Sequence, residues 1–518
     1  MSDSPTTVSV TVSSQKPYQV KTGVLVLPVF ENREVPVDLP AALSREVSAK
    51  MRKLDFKGAW GSSEIMVAPA RSSAEFIALV GLGDKDLKPT HRAEGLRRGL
   101  ASVLEDARRH ALRAAVLVLP DDKDLVPDIA QAAVEVAHLV SYRFDEHKKS
   151  LRDEQAARSL KKLTLACDRS VASDVRSIVS DAQATMAGVT LTRQLVDQPA
   201  SHASPKVLVD KAWELADANP EISLTVFDSR QARQKKFHAF LAVARGSSQE
   251  PYVIHLVYRG KNPKKKVALI GKGITFDSGG LSLKPAQSMT DMKIDMAGAA
   301  TVLGVFSVLP QLDLDIEVHG IIAACENMPS GDAYRPGDVI SSMSGKTIEI
   351  LNTDAEGRVT MADALTYAAQ QEVDAIIDIA TLTGAVVVAA GETHAGLWSN
   401  DRQLKRDLFQ SAREVGEGIV RFPLPPEYKA MVHSSVADVS NTAANHPMAG
   451  ATTAALFLQE FVEEGVSWAH LDVAGPVHFS KRIIPYWGKG ASGYGVRTLL
   501  KYLSRQAELQ TESQTGEN

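Results

Sequence analysis

The sequence predicts an α/β protein: a smaller N-terminal α/β domain followed by a larger C-terminal α/β domain whose mixed sheet is covered by helices. Three observations lead there. Short β-branched runs alternate with segments of helical period along most of the chain. At 518 residues the chain exceeds what one compact core usually organises, about 100 to 200 residues per domain. Hydrophobic residues make up 44% and charged residues 23%, which allows a large buried core and excludes a mainly disordered chain.

Residues 1–17 alternate Ser, Thr and Val with no charged start followed by an apolar run, so they read as a flexible tail and not as a signal peptide. The N-terminal domain is expected over 18–174. Residues 23–27, 76–80 and 114–119 read as buried strands, and 90–110 and 124–141 carry apolar residues at helical intervals. A stretch dense in charge, 146–162, reads as a solvated helix face near a domain junction, ahead of a strand at 163–167. The larger domain is expected over 175–505. It opens with helical periodicity at 182–197 and 205–218. Strands follow at 252–258, 267–270, 316–324, 375–379 and 468–473, with helices such as 359–370 and 452–463 between them. Residues 506–518 are polar and read as a frayed tail. No internal repeat is visible.

Bulk properties exclude several function classes. Lys plus Arg number 58 and Asp plus Glu 62, a net charge of −4 that provides no global attraction to nucleic acid or anionic membrane. No run approaches the roughly 18 consecutive apolar residues of a membrane span. Cys167 and Cys325 are too few for a disulfide framework and lack the spacing of a thiolate zinc site, which suits a reducing compartment and a cytoplasmic protein.

Two segments place charged residues beside apolar strands and tight turns, where each charge needs a partner. In 267–298, Lys272 stands just past an apolar strand, Asp277 precedes Ser278-Gly279-Gly280, Lys284 follows, and Asp295 begins an apolar helix. In 351–365, Asp354 and Glu356 are two apart, so an extended stretch would put both on one face; Gly357 permits a sharp turn and Arg358 leads into a helix. Singly, these residues have plainer readings. Asp295 could cap the helix at Met296, residues 277–280 could be an ordinary turn, and Asp354, Glu356 and Arg358 could simply favour or pair at a helix start. Together, Asp277, Asp295, Asp354 and Glu356 offer four negative charges, matching two divalent cations. Oxygen ligands favour Mg²⁺ or Mn²⁺, with Zn²⁺ open. Two ions about 3.5 to 4 Å apart can share a water and lower its pKa from about 15.7 toward about 7. Lys284 and Arg358 remain as cations able to polarise a carbonyl and stabilise an oxyanion. Lys272 could ligate a metal only as a neutral amine.

At these residues the chain resembles the leucyl aminopeptidase (cytosol aminopeptidase) family of di-metal exopeptidases. NTDAEGR at 352–358 is the family signature, and GKGITFDSGG at 271–280 with Lys284-Pro285 and Asp295-Met296 matches the other metal segment. ATLTGA at 380–385, AGATTAALFLQEF at 449–461, WAHLDVAG at 468–475 and GYGVRTL at 493–499 add to it. The resemblance covers about 180–505 closely. It implies that Lys272, Asp277, Asp295 and Glu356 bind one metal and Asp277, Asp354 and Glu356 the other, with Asp277 and Glu356 bridging. The ions would be Mn²⁺ or Zn²⁺, with Mg²⁺ admissible at one site, and a metal-bridging water or hydroxide would attack. Lys284 would polarise the scissile carbonyl, and Arg358 would hold a bicarbonate acting as general base. The substrate's free α-amine would bind one metal, so only the N-terminal residue is removed.

The resemblance further places Met292, Asn352, Thr381, Leu382 and Gly384 around the first substrate side chain and reaction centre. An apolar pocket there favours leucine-like residues, although a methylene discriminates by only about 1 to 3 kcal/mol. Also implied are a macro-like N-terminal domain and a homohexamer of two trimers whose sites face an interior cavity, favouring short peptides. The chain departs from its relatives at Ala297, where many have Cys, and at 197–205, DQPASHASP, which lacks the usual Asn residues.

Several features are decoys. Ser344-Gly345-Lys346-Thr347 resembles the end of a phosphate-binding loop, but Ile340 stands where the first glycine belongs. Thirteen histidines include no HExxH, and His394, His433, His446 and His470 read as core or surface residues. RGKNPKKK at 259–266 reads as a solvated hairpin turn between two strands. The rival class is nucleic-acid binding, known in some family members but not supported by the net charge. Loss of DNA affinity with salt would reveal it.

Overall fold

The computed structural model describes residues 8–69, 72–148, 158–443 and 448–515. Residues 1–7 of the expected tail, 149–157 of the charged stretch, His446 and residues 516–518 lie outside those described. The chain divides into two units, Met1–Met186 with Ser480–Lys489, and Ala187–Phe479 with Gly490–Asn518.

The first unit is built on a six-stranded sheet in the order Ser9–Ser13, Lys162–Ala166, Ala114–Val118, Thr22–Phe30, Ala74–Gly83, Ser63–Val67. Only the last pair is antiparallel. Every residue of Thr22–Phe30 is buried, which explains its continuous apolar run. Leu25, Leu27, Val29, Ile77, Leu79 and Val116 form the core on one side. The helices Pro89–Arg109 and Val126–Ser141 are joined by a buried ion pair, Arg97 Nε to Glu135 Oε2 at 2.8 Å. Ser9–Ser13, inside the span read as a flexible tail, is instead a strand parallel to Lys162–Ala166, with Val8 and Val10 buried. The alternation of Val with Ser and Thr is the two-residue period of a strand.

The second unit carries an eight-stranded mixed sheet ordered Gly418–Arg421, His394–Ser399, Ser467–Asp472, Ala375–Ala380, Lys266–Asp277, Glu317–Asn327, Tyr252–Arg259, Ile222–Phe227. Lys266–Asp277 is central and parallel to both neighbours. It runs well past the apolar 267–270, so Lys272 lies inside the strand and not beyond it. Glycines hid the continuation. A Cβ on Gly271 would press on Gly298 and Ala299 of the helix Ala297–Phe306, whereas the next side chain, Lys272, packs against Gly357 of the helix Glu356–Ala369. Successive strand residues point to opposite faces, so these two helices cover the two faces of the sheet.

Met292–Leu312 is by length and composition apolar enough to span a membrane, although Lys293 and Asp295 interrupt it, and 78% of its most apolar window is buried. All ten residues of Ala297–Phe306 are buried, so a helix apolar all round serves here as core. The basic stretch 259–266 is not a hairpin turn. Glu317–Asn327 lies between the strands it joins, making it a crossover, and its charges are answered by Glu317, 2.8 Å from Arg259, and Asp313, 2.6 Å from Lys261. Lys346 of the phosphate-loop decoy pairs with Glu460 at 2.8 Å. Helix Val496–Thr515 extends through much of the expected C-terminal tail, with Gln506 and Ala507 buried. Gln506 Oε1 accepts a bond from Lys265 Nζ at 2.5 Å, which anchors this turn despite its polar composition.

The helix Glu356–Ala369 is fastened by Asp363, which is 0% exposed and accepts hydrogen bonds from the backbone amides of Phe240 (3.0 Å) and Met343 (2.7 Å). Asp363→Ala leaves two buried amides unpaired and is expected to cost about 2 to 4 kcal/mol. Thermal denaturation checks this; an unchanged melting temperature would show that the clamp is dispensable.

Candidate active site

The charged residues converge at the C-terminal end of the central strand. Lys272 Nζ lies 2.8 Å from Asp295 Oδ1 and 2.8 Å from Glu356 Oε1, and donates to the carbonyl of Thr381 at 3.0 Å. Lys284 Nζ lies 2.9 Å from Asp277 Oδ2 and also pairs with Asp354. Single oxygens of Asp277, Asp354 and Glu356 lie within 4.8 Å of one another, and Asp295 joins them through Lys272. Lys272, Asp277, Asp295 and Glu356 are all buried.

Local structure explains the convergence. Asp277 ends its strand and accepts from the amide of Gly279 at 2.9 Å; Gly279 and Gly280 then turn the chain with φ of +86° and +64°, which favours glycine. Asp295 sits in the 3-10 turn Met292–Met296 and caps no helix: its Oδ1 accepts from Lys272 and from the Thr381 hydroxyl at 2.8 Å. Asp354 and Glu356 do not meet through an extended stretch. Asp354 lies in a turn and Glu356 begins a helix, so the change of direction between them aims both carboxylates at the cluster. Nor is Gly357 a sharp turn. It is helical, and its missing side chain is the space that Lys272 occupies, since a Cβ would overlap Lys272 Cε and Nζ.

The electrostatics test whether divalent cations suit these donors. Burial opposes the Lys272 ammonium, but Asp295, Glu356 and Asp277 more than compensate and raise its pKa. Burial likewise opposes the Lys284 ammonium, and Asp277 and Asp354 raise it. Even beside these lysines the carboxyls stay above their ordinary range: Asp295 and Glu356 through burial and mutual or Asp277 repulsion, Asp354 chiefly through burial. The cluster is therefore short of positive charge. Among the described residues, Glu356 Oε2 is buried with no hydrogen-bond partner, an acceptor open to a further cation. All-carboxylate oxygens with one amine fit Mn²⁺, Mg²⁺ or Zn²⁺.

Arg358 forms no ion pair with the carboxylates among the described residues, although the charges of Glu356 and Asp472 act on it. Its Nη1 donates to the carbonyl of Asn441 at 2.9 Å, while Nε is buried without a hydrogen-bond partner among the described residues. Burial lowers its pKa to about 10, so it stays charged at neutral pH and suits an anion. Of the residues expected around the substrate, Thr381 bonds both Lys272 and Asp295, and Asn352 Oδ1 accepts from the Asp354 amide at 2.8 Å. The Leu382 amide bonds Asp472 at 3.1 Å, away from the cluster. Among the described residues, Met292 and Gly384 make no hydrogen bond to it; Met292 opens the turn that holds Asp295, and Gly384 opens the helix Gly384–Ala390.

The structure adds residues that the sequence reading missed. Asn327 Nδ2 donates to Asp277 Oδ1 (2.8 Å) and to the Thr353 carbonyl (3.0 Å), tying the two segments together. Asn441 binds the second segment from outside: Oδ1 accepts from the Leu351 amide at 2.8 Å and Nδ2 donates to the Asn352 carbonyl at 2.6 Å. A polar residue closing the apolar strand Glu317–Asn327 was a usable signal for the first; nothing local marks the second. Of the departures, Ala297 is buried at the start of its helix, and Asp197 is held by the Ala491 amide at 2.8 Å and, through its carbonyl, by Lys293.

Known proteins resemble this chain over most of its length. The profile of the cytosol aminopeptidase family catalytic domain matches residues 190–500, and that of the family's N-terminal domain matches 26–150. A probable cytosol aminopeptidase of Aquifex aeolicus is 41% identical over 473 residues, 90% of this chain and 92% of the relative. One from Persephonella marina is 39% identical over 472 residues, 90% and 93% of the two chains. Among solved structures, a tomato leucine aminopeptidase variant superposes with TM-score 0.81 at 35% identity, covering 98% of each chain. The bottromycin maturation enzyme BotP in complex with Mn does so with TM-score 0.81 at 31% identity, covering 94% of this chain and 100% of BotP.

Proposed function

The chain belongs to the cytosol aminopeptidase family and is an aminopeptidase hydrolase; from that premise we propose that it releases leucine and other apolar N-terminal residues from short peptides with the help of two divalent cations. The observation that supports this best is the buried carboxylate cluster, still short of positive charge beside two lysines.

Lys272, Asp277, Asp295 and Glu356 would hold one ion, and Asp277, Asp354 and Glu356 the other. Mn²⁺ is favoured by the Mn complex of BotP, with Zn²⁺ or Mg²⁺ as alternatives. Bound there, divalent cations would supply hydroxide at neutral pH by strongly lowering the pKa of a water. Lys272 would serve as a ligand only as the free amine, so its ammonium proton would have to pass to solvent. The Lys284 ammonium polarises the scissile carbonyl and stabilises the developing oxyanion. Arg358, with one N–H unpartnered among the described residues, would hold a bicarbonate as general base. Recognition of the free α-amine restricts cleavage to the first residue, and Met292, Asn352, Thr381, Leu382 and Gly384 receive that residue's side chain. We further propose a homohexamer that admits short peptides, located in the cytoplasm.

A panel of aminoacyl substrates with N-acetylated controls tests the reading. Leucyl substrates should exceed alanyl ones in kcat/KM by roughly 10- to 200-fold, because the difference is a few methylenes of burial. Acetylated peptides should not be cut. Equal rates on acetylated and free peptides would contradict the free-amine requirement.

A further inference from the structure

Residues 381–384 link the strand Ala375–Ala380 to the helix Gly384–Ala390, and among the described residues their hydrogen bonds to the ligand cluster come from Thr381. Asp472 holds them from behind. This residue ends the strand Ser467–Asp472 and is the register partner of Ala380 on the neighbouring parallel strand. Its Oδ1 accepts from the Leu382 amide at 3.1 Å and the Ala474 amide at 3.3 Å, and its Oδ2 accepts from the Thr383 hydroxyl at 2.6 Å. Thr383 Oγ1 in turn accepts from the Val386 amide at 3.1 Å, capping the helix that Gly384 opens. One carboxylate thus fixes the loop backbone at residue 382, its side chain at 383, and the following helix.

Asp472 is wholly buried, and so are the polar residues before it on the same strand face. His470 Nδ1 lies 2.5 Å from Asp378 Oδ1, and Trp468 Nε1 donates to Asp378 Oδ2 at 2.7 Å. Residues two apart on a strand share a face. Trp468, His470 and Asp472 therefore form a row of buried polar groups that leads to the loop. Among the described residues, the side-chain hydrogen bonds of Asp472 go to 382–383 and to Ala474, while its charge also acts on His470 and Arg358.

We propose that Asp472 is a positioning residue for residues 381–384. It sets how Thr381 meets Lys272 and Asp295, and how Leu382 and Gly384 face the substrate. The second part rests on the substrate assignment made under Proposed function. Asp472 itself hydrogen-bonds none of the five proposed ligands among the described residues.

The test compares Asp472→Ala, Asp472→Asn and Thr383→Val with wild type, each purified and loaded with Mn²⁺. The readouts are kcat and KM on leucyl and alanyl substrates, Mn²⁺ retained after dialysis, and melting temperature. Asp472→Ala and Thr383→Val should raise KM for leucyl substrates about fivefold or more and compress the leucyl-to-alanyl ratio about threefold or more, because the loop is loosened rather than the chemistry removed. Asp472→Asn keeps an oxygen for both amides and should stay within about threefold of wild type. Retention of Mn²⁺ should fall in Asp472→Ala as Thr381 leaves Lys272 and Asp295. If Asp472→Ala does not fold, the near-isosteric Thr383→Val decides. Wild-type KM, selectivity and Mn²⁺ retention in a folded Asp472→Ala or Thr383→Val protein would overturn the proposal. Should wild type itself not distinguish leucyl from alanyl substrates, the substrate assignment fails, and KM and Mn²⁺ retention then decide Asp472.

Discussion

Glu356→Ala is expected to reduce peptide hydrolysis by at least about 10³-fold and to lower the content of bound divalent ion, since it deletes the one carboxylate proposed to serve both cations alongside Asp277. Glu356 is 1% exposed, and its Oε1 is one of two carboxylate contacts of the buried Lys272 ammonium. Removing one partner of a buried pair costs about 3 to 5 kcal/mol, so the variant should also melt earlier in the ion-free state. Glu356→Gln separates the two effects. It preserves side-chain volume and an oxygen but not the charge, so it should fold more nearly as wild type does and remain inactive. Full activity in either variant would remove Glu356 from the mechanism.

The second large effect is expected at Lys284. Lys284→Ala should lower kcat by about 10² to 10³-fold, the usual cost of losing one preorganised donor to a developing oxyanion, with KM changed far less. The lysine is placed for this by Asp277 and Asp354, and their charge keeps it protonated although burial opposes that. Lys284 is not among the proposed ligands, so metal content should survive the substitution. Steady-state kinetics with metal analysis on the same preparation separates this role from that of Glu356. An unchanged kcat would contradict it.

The site was legible in the sequence for a definite reason. Asp277, Asp295, Asp354 and Glu356 stand beside apolar strands and tight turns, where an unpaired charge is costly, and their number suits two dications. Their local geometry was less legible. Gly271 and Gly273 break the β-branched pattern and so mask the continuation of the strand through Lys272, although both glycines serve close packing against neighbouring backbone. Gly357 was read as a turn, yet it is a helical residue that leaves room for the Lys272 side chain.

The alternating strands and helices disclosed the fold class, but strand order was not local information. Residues 259–266 look like a hairpin until Glu317–Asn327, some fifty residues later, inserts between the two strands they join. The strand Ser9–Ser13 depends on Lys162–Ala166, more than a hundred residues away, for its pairing. Asn441 and Asp472 act through backbone groups that only the tertiary fold brings near, which no spacing in their own segments announces.

The most direct measurement is a titration of ion-free protein with Mn²⁺, following bound ion per subunit and leucyl peptide hydrolysis together. Full activity should arrive only as the second equivalent binds. A fully active preparation that holds fewer than two ions per subunit would contradict a mechanism built on a cation pair caged by Asp277, Asp295, Asp354 and Glu356.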